Sequence, residues 1–265
     1  MFAVASSRFA AALLALIAGI APAQTPSAPA ATYEPTSGQE GKDVIWLPTP
    51  QVVVDKMLEV ARVGPKDYVI DLGSGDGRTV ITAAKLGARA TGIEYNPDMV
   101  EFARRNAEKA GVAGKATFAK ADLFETSFAR ASVVTMFLLP DINLKLRPKI
   151  LALKPGTRIV SNTFTMGDWE PDTKVEMNGK PGCESSYCTV LFWMVPRRVA
   201  GTYKVAQGEI TLKQKYQKLS GTLKTDSGMR EIKGRVRGEN IEFAAGDKKY
   251  RGRLKDGALE LRDAG

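Results

Sequence analysis

Tyr68-Val69-Ile70-Asp71-Leu72-Gly73-Ser74-Gly75-Asp76-Gly77-Arg78 decides the fold. A β-prone apolar run meets an acid, then glycine at every second position, then a helix-compatible stretch to Leu86 that Gly87 stops. This is a strand, a glycine turn and a helix in direct succession. The glycines sit where the turn must bring bare backbone against a ligand. Outward from it the two periods keep alternating. Ala90 to Glu94 reads as a strand, and the next helix is capped by Asn96, has Pro97 at its first position and stops at Gly111. Strands follow at Ala116 to Lys120, Ser132 to Phe137 and Arg158 to Asn162, with a helix between Asp141 and Ala152. Upstream, the Thr49 hydroxyl followed by Pro50 reads as a helix start, and Thr189 to Val195 can add an antiparallel edge. Such alternation with short connections predicts an α/β fold: a doubly wound, Rossmann-like, mostly parallel sheet.

In such a sheet a ligand binds at the carboxyl ends of the strands. The spacing G-x-G-x-G after Asp71 differs from the dinucleotide G-x-G-x-x-G, and an acid on the pocket floor repels a pyrophosphate. It suits a cationic amino-acid group. S-adenosylmethionine (AdoMet) carries an ammonium and a sulfonium, so Asp71 is expected to hold its methionine portion while Gly73 and Gly75 allow close approach. Glu94 ends the second strand, where a carboxylate can accept both ribose hydroxyls, and Tyr95 can pack on the adenine. Asp122 follows the third strand, placed to accept the adenine amino group, with Leu123 against the ring. Thr49, Ser74 and Gly77 complete the expected cofactor contacts.

The ends of the chain read differently. Arg8 precedes an apolar run from Phe9 to Ile20 that closes on Ala21-Pro22-Ala23. This gives residues 1–23 the form of a secretory signal peptide, with an uncleaved membrane anchor as the alternative. Residues 24–43 have the Pro, Ala, Ser and Gly composition of a flexible linker. Export implies a periplasmic or secreted protein. Residues 44–196 form the α/β domain and residues 197–265 a small antiparallel β-meander module, its short alternating segments parted by turns such as Gly246-Asp247 and Asp256-Gly257. From Arg197 onward there are 17 Lys or Arg against 9 Asp or Glu, most of the formal net charge of +9. This is either a solvated face or a surface for anionic membrane or an acidic partner. A nucleic-acid partner is disfavoured, since no recognition motif accompanies the charge. With no His and only Cys183 and Cys188, a structural zinc site lacks ligands, so no metal is expected. The two thiols are spaced to form a disulfide in an oxidising compartment, or remain free.

From about Trp46 to Asp172 the sequence resembles the lysine methyltransferase family that includes the mitochondrial ATP synthase c-subunit methyltransferase and its bacterial relatives. Leu47-Pro48-Thr49-Pro50, Asp71 to Arg78, Gly92-Ile93-Glu94 with Asn96-Pro97, Asp122-Leu123, Phe137-Leu138-Leu139-Pro140 and Gly167-Asp168-Trp169-Glu170-Pro171-Asp172 carry the resemblance. It implies a methyltransferase acting on lysine ε-nitrogen in a protein substrate, with membrane-associated protein as the acceptor. Methyl transfer is an in-line displacement at an activated carbon, so the protein positions and desolvates. A lysine must lose its proton first. Asp168, Glu170 and Asp172 are the candidate acceptors, flanking Trp169, whose ring can line the lysine channel. Leu139 and Pro140 stand where related enzymes orient the acceptor amine with backbone carbonyls. A small-molecule or lipid methyltransferase, and an exported scaffold without chemistry, are the competing readings.

Overall fold

A computed structural model describes residues 1–2, 33–43, 45–184 and 186–264. The expected signal peptide and the first part of the linker lie outside the described residues, apart from residues 1–2. The compact unit from Tyr33 to Gly265 holds two seven-stranded sheets.

The first sheet has the order β3-β2-β1-β4-β5-β7-β6. Its parallel core comprises β1 (Tyr68–Leu72), β2 (Arg89–Glu94), β3 (Ala116–Lys120), β4 (Val133–Met136) and β5 (Arg158–Asn162). Then β7 (Thr189–Met194) runs antiparallel to β5, and β6 (Thr173–Glu176) pairs with β7. The short, mostly solvent-facing β6 has no apolar alternation to announce it and was not expected. Four helices complete the layer: α1 (Gln51–Val60), α2 (Arg78–Lys85), α3 (Pro97–Lys109) and α4 (Pro140–Leu151).

Continuous apolar strands need cover on both faces. Val69, Val133 and Val160 face a core built with Val53, Met57, Val80 and Val100 from α1, α2 and α3. On the other face Ile70, Leu72, Val134 and Ile159 meet Leu146 and Ile150 of α4, Trp169 and Trp193. The Asn96 side chain caps α3 through the Asp98 and Met99 N–H groups, as expected. For α1 the expectation is corrected: the cap is Pro50 with no side-chain bond, and the Thr49 carbonyl instead accepts Arg78 Nη1 at 2.8 Å.

The second sheet is an antiparallel meander from β8 (Gly201–Val205) through β9 (Gly208–Lys215), β10 (Lys218–Thr225), β11 (Gly228–Arg237), β12 (Asn240–Ala245) and β13 (Lys248–Lys255) to β14 (Ala258–Asp263). Its edge strands β8 and β14 approach each other, curling the sheet around Ile210, Leu223, Ile232, Val236, Ile241 and Phe243.

Candidate active site

The order β3-β2-β1-β4-β5 reverses direction between β1 and β4, so the loops after these strands open a cleft at their carboxyl ends. The glycine turn forms its floor. Gly73, Gly75 and Gly77 have φ of 74°, 51° and 83°, values at which an L side chain is strained. The Gly73 and Ser74 N–H groups donate to the Ile93 carbonyl at 2.9 and 3.0 Å, stitching the turn to β2. Arg78 clamps the Asp76 carboxylate and the Thr49 carbonyl at once.

Asp71 is buried at this floor and accepts a hydrogen bond from Thr135 Oγ1 at 2.6 Å. Burial foremost pushes its carboxyl up to about 7, nearby Asp76 and Glu94 add to the rise, and the Thr135 and Thr79 hydroxyls oppose it. A buried acid so poised gains from a cationic ligand. Thr135 is a hydroxyl inside an otherwise apolar strand, a signal that the sequence reading passed over.

Glu94 accepts three backbone N–H groups: Gly75 at 3.0 Å on Oε2, and Tyr95 and Asn96 at 2.8 and 3.0 Å on Oε1. The same carboxylate, which lines the cleft, therefore fixes the glycine turn and the entry to α3, and one of its lone pairs remains for a hydroxyl. Asp122 accepts the Phe124 N–H on Oδ1 at 2.8 Å and pairs through Oδ2 with Lys42 at 2.5 Å. Tyr95, Leu123, Thr49 and Ser74 line the same cleft, and Ser74 Oγ is buried without a partner among the described residues. Gly77 does not line it. A Cβ there would meet Phe118 Cζ at 2.7 Å and Ala103 Cβ at 3.0 Å, so this glycine serves helix-to-strand packing rather than the ligand.

Residues 33–43, assigned by composition to the linker, pack against the domain, and residues 39–43 line the cleft. Gly38 N–H donates to the Trp46 carbonyl at 2.8 Å and Trp46 N–H to Gln39 at 2.9 Å. Arg105 donates to the Tyr33 carbonyl, and Lys42 lies 4.6 Å from the centroid of the Tyr95 ring. Polar composition concealed this strap because its anchors, Tyr33, Lys42 and Trp46, are single residues without a period. A Cβ on Gly75 would stand 2.4 Å from Trp46 Nε1. Gly75→Ala is therefore expected to displace the indole and strain the turn by about 1–2 kcal/mol, weakening cofactor binding in calorimetry and lowering the melting temperature by several degrees.

The expected acceptor residues are corrected. Trp169, Asp168, Glu170 and Asp172 do not line the cleft. Trp169 is fully buried, stacked 5.8 Å from Tyr216 and tilted against Trp193 at 6.1 Å. The three acids clasp the meander: Asp168 bonds Lys215, Tyr216 and Arg147, Glu170 pairs with Lys218 at 2.7 Å, and Asp172 with Arg235 at 2.6 Å. Lys215 foremost, then Tyr216 and Arg147, holds the Asp168 carboxyl down at about 2, the opposite of a base tuned to accept a proton. Leu139 lines the cleft, but its carbonyl accepts the Ile142 and Asn143 N–H groups at 3.0 Å each, so helix α4 already engages it. Pro140 is the first residue of α4 and lies outside the cleft lining. The other half of the cleft is instead apolar and aromatic, with Met136, Phe137, Leu138, Ile142, Phe164 and Tyr187. Cys183 and Cys188 form a disulfide, with Cα atoms 6.0 Å apart.

A doubly wound sheet with an acid and glycine turn after β1, and an acid after each of β2 and β3, defines a class I AdoMet-dependent methyltransferase. Residues 71–173 match the model of the ANTKMT methyltransferase domain. The protein-lysine N-methyltransferase of Saccharolobus islandicus (strain REY15A) is 46% identical over 137 residues, spanning 51% of this chain and 85% of that protein. The mouse ATP synthase c-subunit lysine N-methyltransferase is 42% identical over 120 residues, 45% of this chain and 47% of that enzyme, so the match spans about half of that relative's length. Among solved structures, an RNA methyltransferase from Salinibacter ruber in complex with S-adenosyl-L-homocysteine is 48% identical, with a TM-score of 0.54 over 58% of this chain and 96% of that one. The chain belongs to the protein-lysine N-methyltransferase family of class I methyltransferases.

Proposed function

We propose that this methyltransferase binds AdoMet in the cleft and delivers its methyl group to a lysine ε-amino group of a protein. The observation that carries the reading is the division of one cleft into a half with buried negative charge and bare backbone, and a half with apolar and aromatic walls. The first half fits the cofactor: Asp71 is a buried carboxyl that a cation would satisfy, the positive-φ residues Gly73 and Gly75 leave bare backbone at the floor, and Ser74 Oγ is an orphaned donor. Asp71 would hold the ammonium end, Glu94 a ribose hydroxyl on its remaining lone pair and Tyr95 the base. Asp122, shared with Lys42, would take the adenine amino group. When bound, the cofactor supplies a methyl group activated by positive sulfur.

The chain's own part is to orient and dry the acceptor. Phe137, Leu138, Phe164 and Tyr187 strip water from an entering amine, and desolvation beside positive charge favours its neutral form. The proton leaves to water as the amine seats. The names of the archaeal and mouse relatives support a lysine acceptor, whereas the Salinibacter protein's name is that of an RNA enzyme.

Tritiated AdoMet incubated with the enzyme and membrane extracts decides between them. Label recovered as methyl-lysine after hydrolysis supports the proposal; label in RNA, lipid or small molecules removes it. Glu94→Ala is expected to weaken S-adenosylhomocysteine binding by about tenfold or more, from the loss of a charged acceptor and of the turn it fixes; isothermal calorimetry measures this.

The proposal extends to export, with residues 1–23 as the signal and the enzyme periplasmic or secreted. The Cys183–Cys188 cross-link supports an oxidising compartment. Sequencing the mature amino terminus tests it. Membrane-associated protein is the proposed substrate. Lys215, Lys218 and Arg235 are spent on the internal clasp, while the rest of the module's cationic surface suits anionic lipid or an acidic partner.

A further inference from the structure

Among the described residues of the Cys183–Cys188 loop, one side chain enters the cleft, that of Tyr187. Its ring centroid lies 5.7 Å from Phe137 and 5.8 Å from Phe164, and those two stack on each other at 5.7 Å with 14° between planes. Phe137 follows β4 and Phe164 follows β5, the strands across the switch point from the loops with the cofactor acids. This trio therefore walls the half of the cleft left to the acceptor.

One member, Phe164, is held from within the fold. The Phe164 carbonyl accepts Ser161 Oγ at 2.7 Å and Asn143 Nδ2 at 3.2 Å. Thr163 just before it has φ of 61°, rare for a β-branched residue and sustained only where surroundings dictate it. Tyr187 is 37% exposed and is placed differently, by a loop pinned at its two ends. Both cysteines are buried in the core that includes Val53 and Val190. Met177 N–H donates to the Cys188 carbonyl, and Cys183 N–H to the Lys180 carbonyl, at 2.9 Å each. The disulfide closes the short path between these anchors, so the arc holding Tyr187 has little freedom to swing out.

We infer that Tyr187 is a specificity-determining residue which completes an aromatic wall for the stem and amine of the acceptor lysine, and that the Cys183–Cys188 bond holds it there. The inference rests on the lysine reading above and deepens it. The flat apolar faces pack the lysine methylene chain and exclude water from the amine at its end, whereas an anionic or strongly hydrated group gains nothing there. Opening the disulfide should loosen acceptor capture and leave the cofactor half untouched.

The test is a titration of the S-adenosylhomocysteine complex with Nα-acetyl-lysine methylamide, followed by NMR. Y187A and the double variant C183S/C188S are each expected to weaken probe binding about fivefold or more, with the S-adenosylhomocysteine dissociation constant unchanged. Y187F keeps the ring and should bind the probe as the parent protein does. Equal probe binding by Y187A, or no probe binding by the parent protein, overturns the inference. Should C183S/C188S fail to fold, shown by lost cofactor binding, reduction of the folded parent protein and capping of its thiols opens the loop without substitution, and undiminished probe binding then counts against the disulfide's part. Methyl-lysine in membrane-extract hydrolysates alongside indifferent variants leaves the lysine reading standing and removes only this inference; hydrolysates labelled elsewhere remove the reading itself.

Discussion

Asp71→Asn should weaken binding of AdoMet or S-adenosylhomocysteine by about 10- to 100-fold, the value of a charge-assisted contact of about 1.5–3 kcal/mol. Both ligands bring an ammonium to a buried carboxyl whose own proton leaves only near pH 7. The sign of the pH dependence follows. The ligand prefers ionised Asp71, so binding is at full strength above about 7 and falls by up to about tenfold per unit as the solution is acidified below it. Without ligand the trend reverses: the native state holds this proton more tightly than the unfolded chain, so the contribution to stability falls as pH rises from about 4 to 7. Calorimetric titrations between pH 5.5 and 8.5 read the first effect, with Asp71→Asn expected to be far flatter. A parent profile that does not change with pH, together with an Asn variant of equal affinity, would remove Asp71 from the cofactor site.

Trp169→Ala should cost about 3–5 kcal/mol of stability, the usual range for deleting a fully buried indole. The ring joins the two sheets. It lies between Trp193 of β7 and Tyr216 of the meander, and its backbone carbonyl accepts Trp193 Nε1 at 2.8 Å. The charged clasp around it, Asp168 with Lys215 and Arg147 and Asp172 with Arg235, is expected to loosen with it. Cofactor affinity at a temperature where the variant stays folded should remain within about twofold, since Trp169 does not line the cleft. Denaturant midpoints and calorimetry give the two readings. Ordinary stability with lost methyl transfer would restore Trp169 to the acceptor channel.

These two residues show why legibility differed between the halves of the cleft. Asp71 was readable because its role is local: strand, acid and glycine turn are contiguous, and so are Glu94 with Asn96-Pro97 and Asp122 with Leu123. Trp169 and its acids also form a conspicuous cluster, and conspicuous polarity around an aromatic reads as a site. Their partners, Lys215, Lys218 and Arg235, lie more than 40 positions along the chain, and nothing local marks them as partners. The strap was hidden for a related reason. Tyr33, Lys42 and Trp46 act singly, each bound to an element distant in sequence.

The sequence by itself determined the alternation from β1 to β5, the glycine turn and the acids at the ends of three consecutive strands, because backbone propensity and short-range spacing govern all of these. Only the tertiary structure decided that residues 39–43 line the cleft, that the Trp-Glu-Pro-Asp segment clasps the meander, and that Phe137, Phe164 and Tyr187 meet at the acceptor side. The reason is physical: those contacts join residues whose proximity is set by how sheets, helices and loops pack, and packing leaves no period or motif in the chain that makes it.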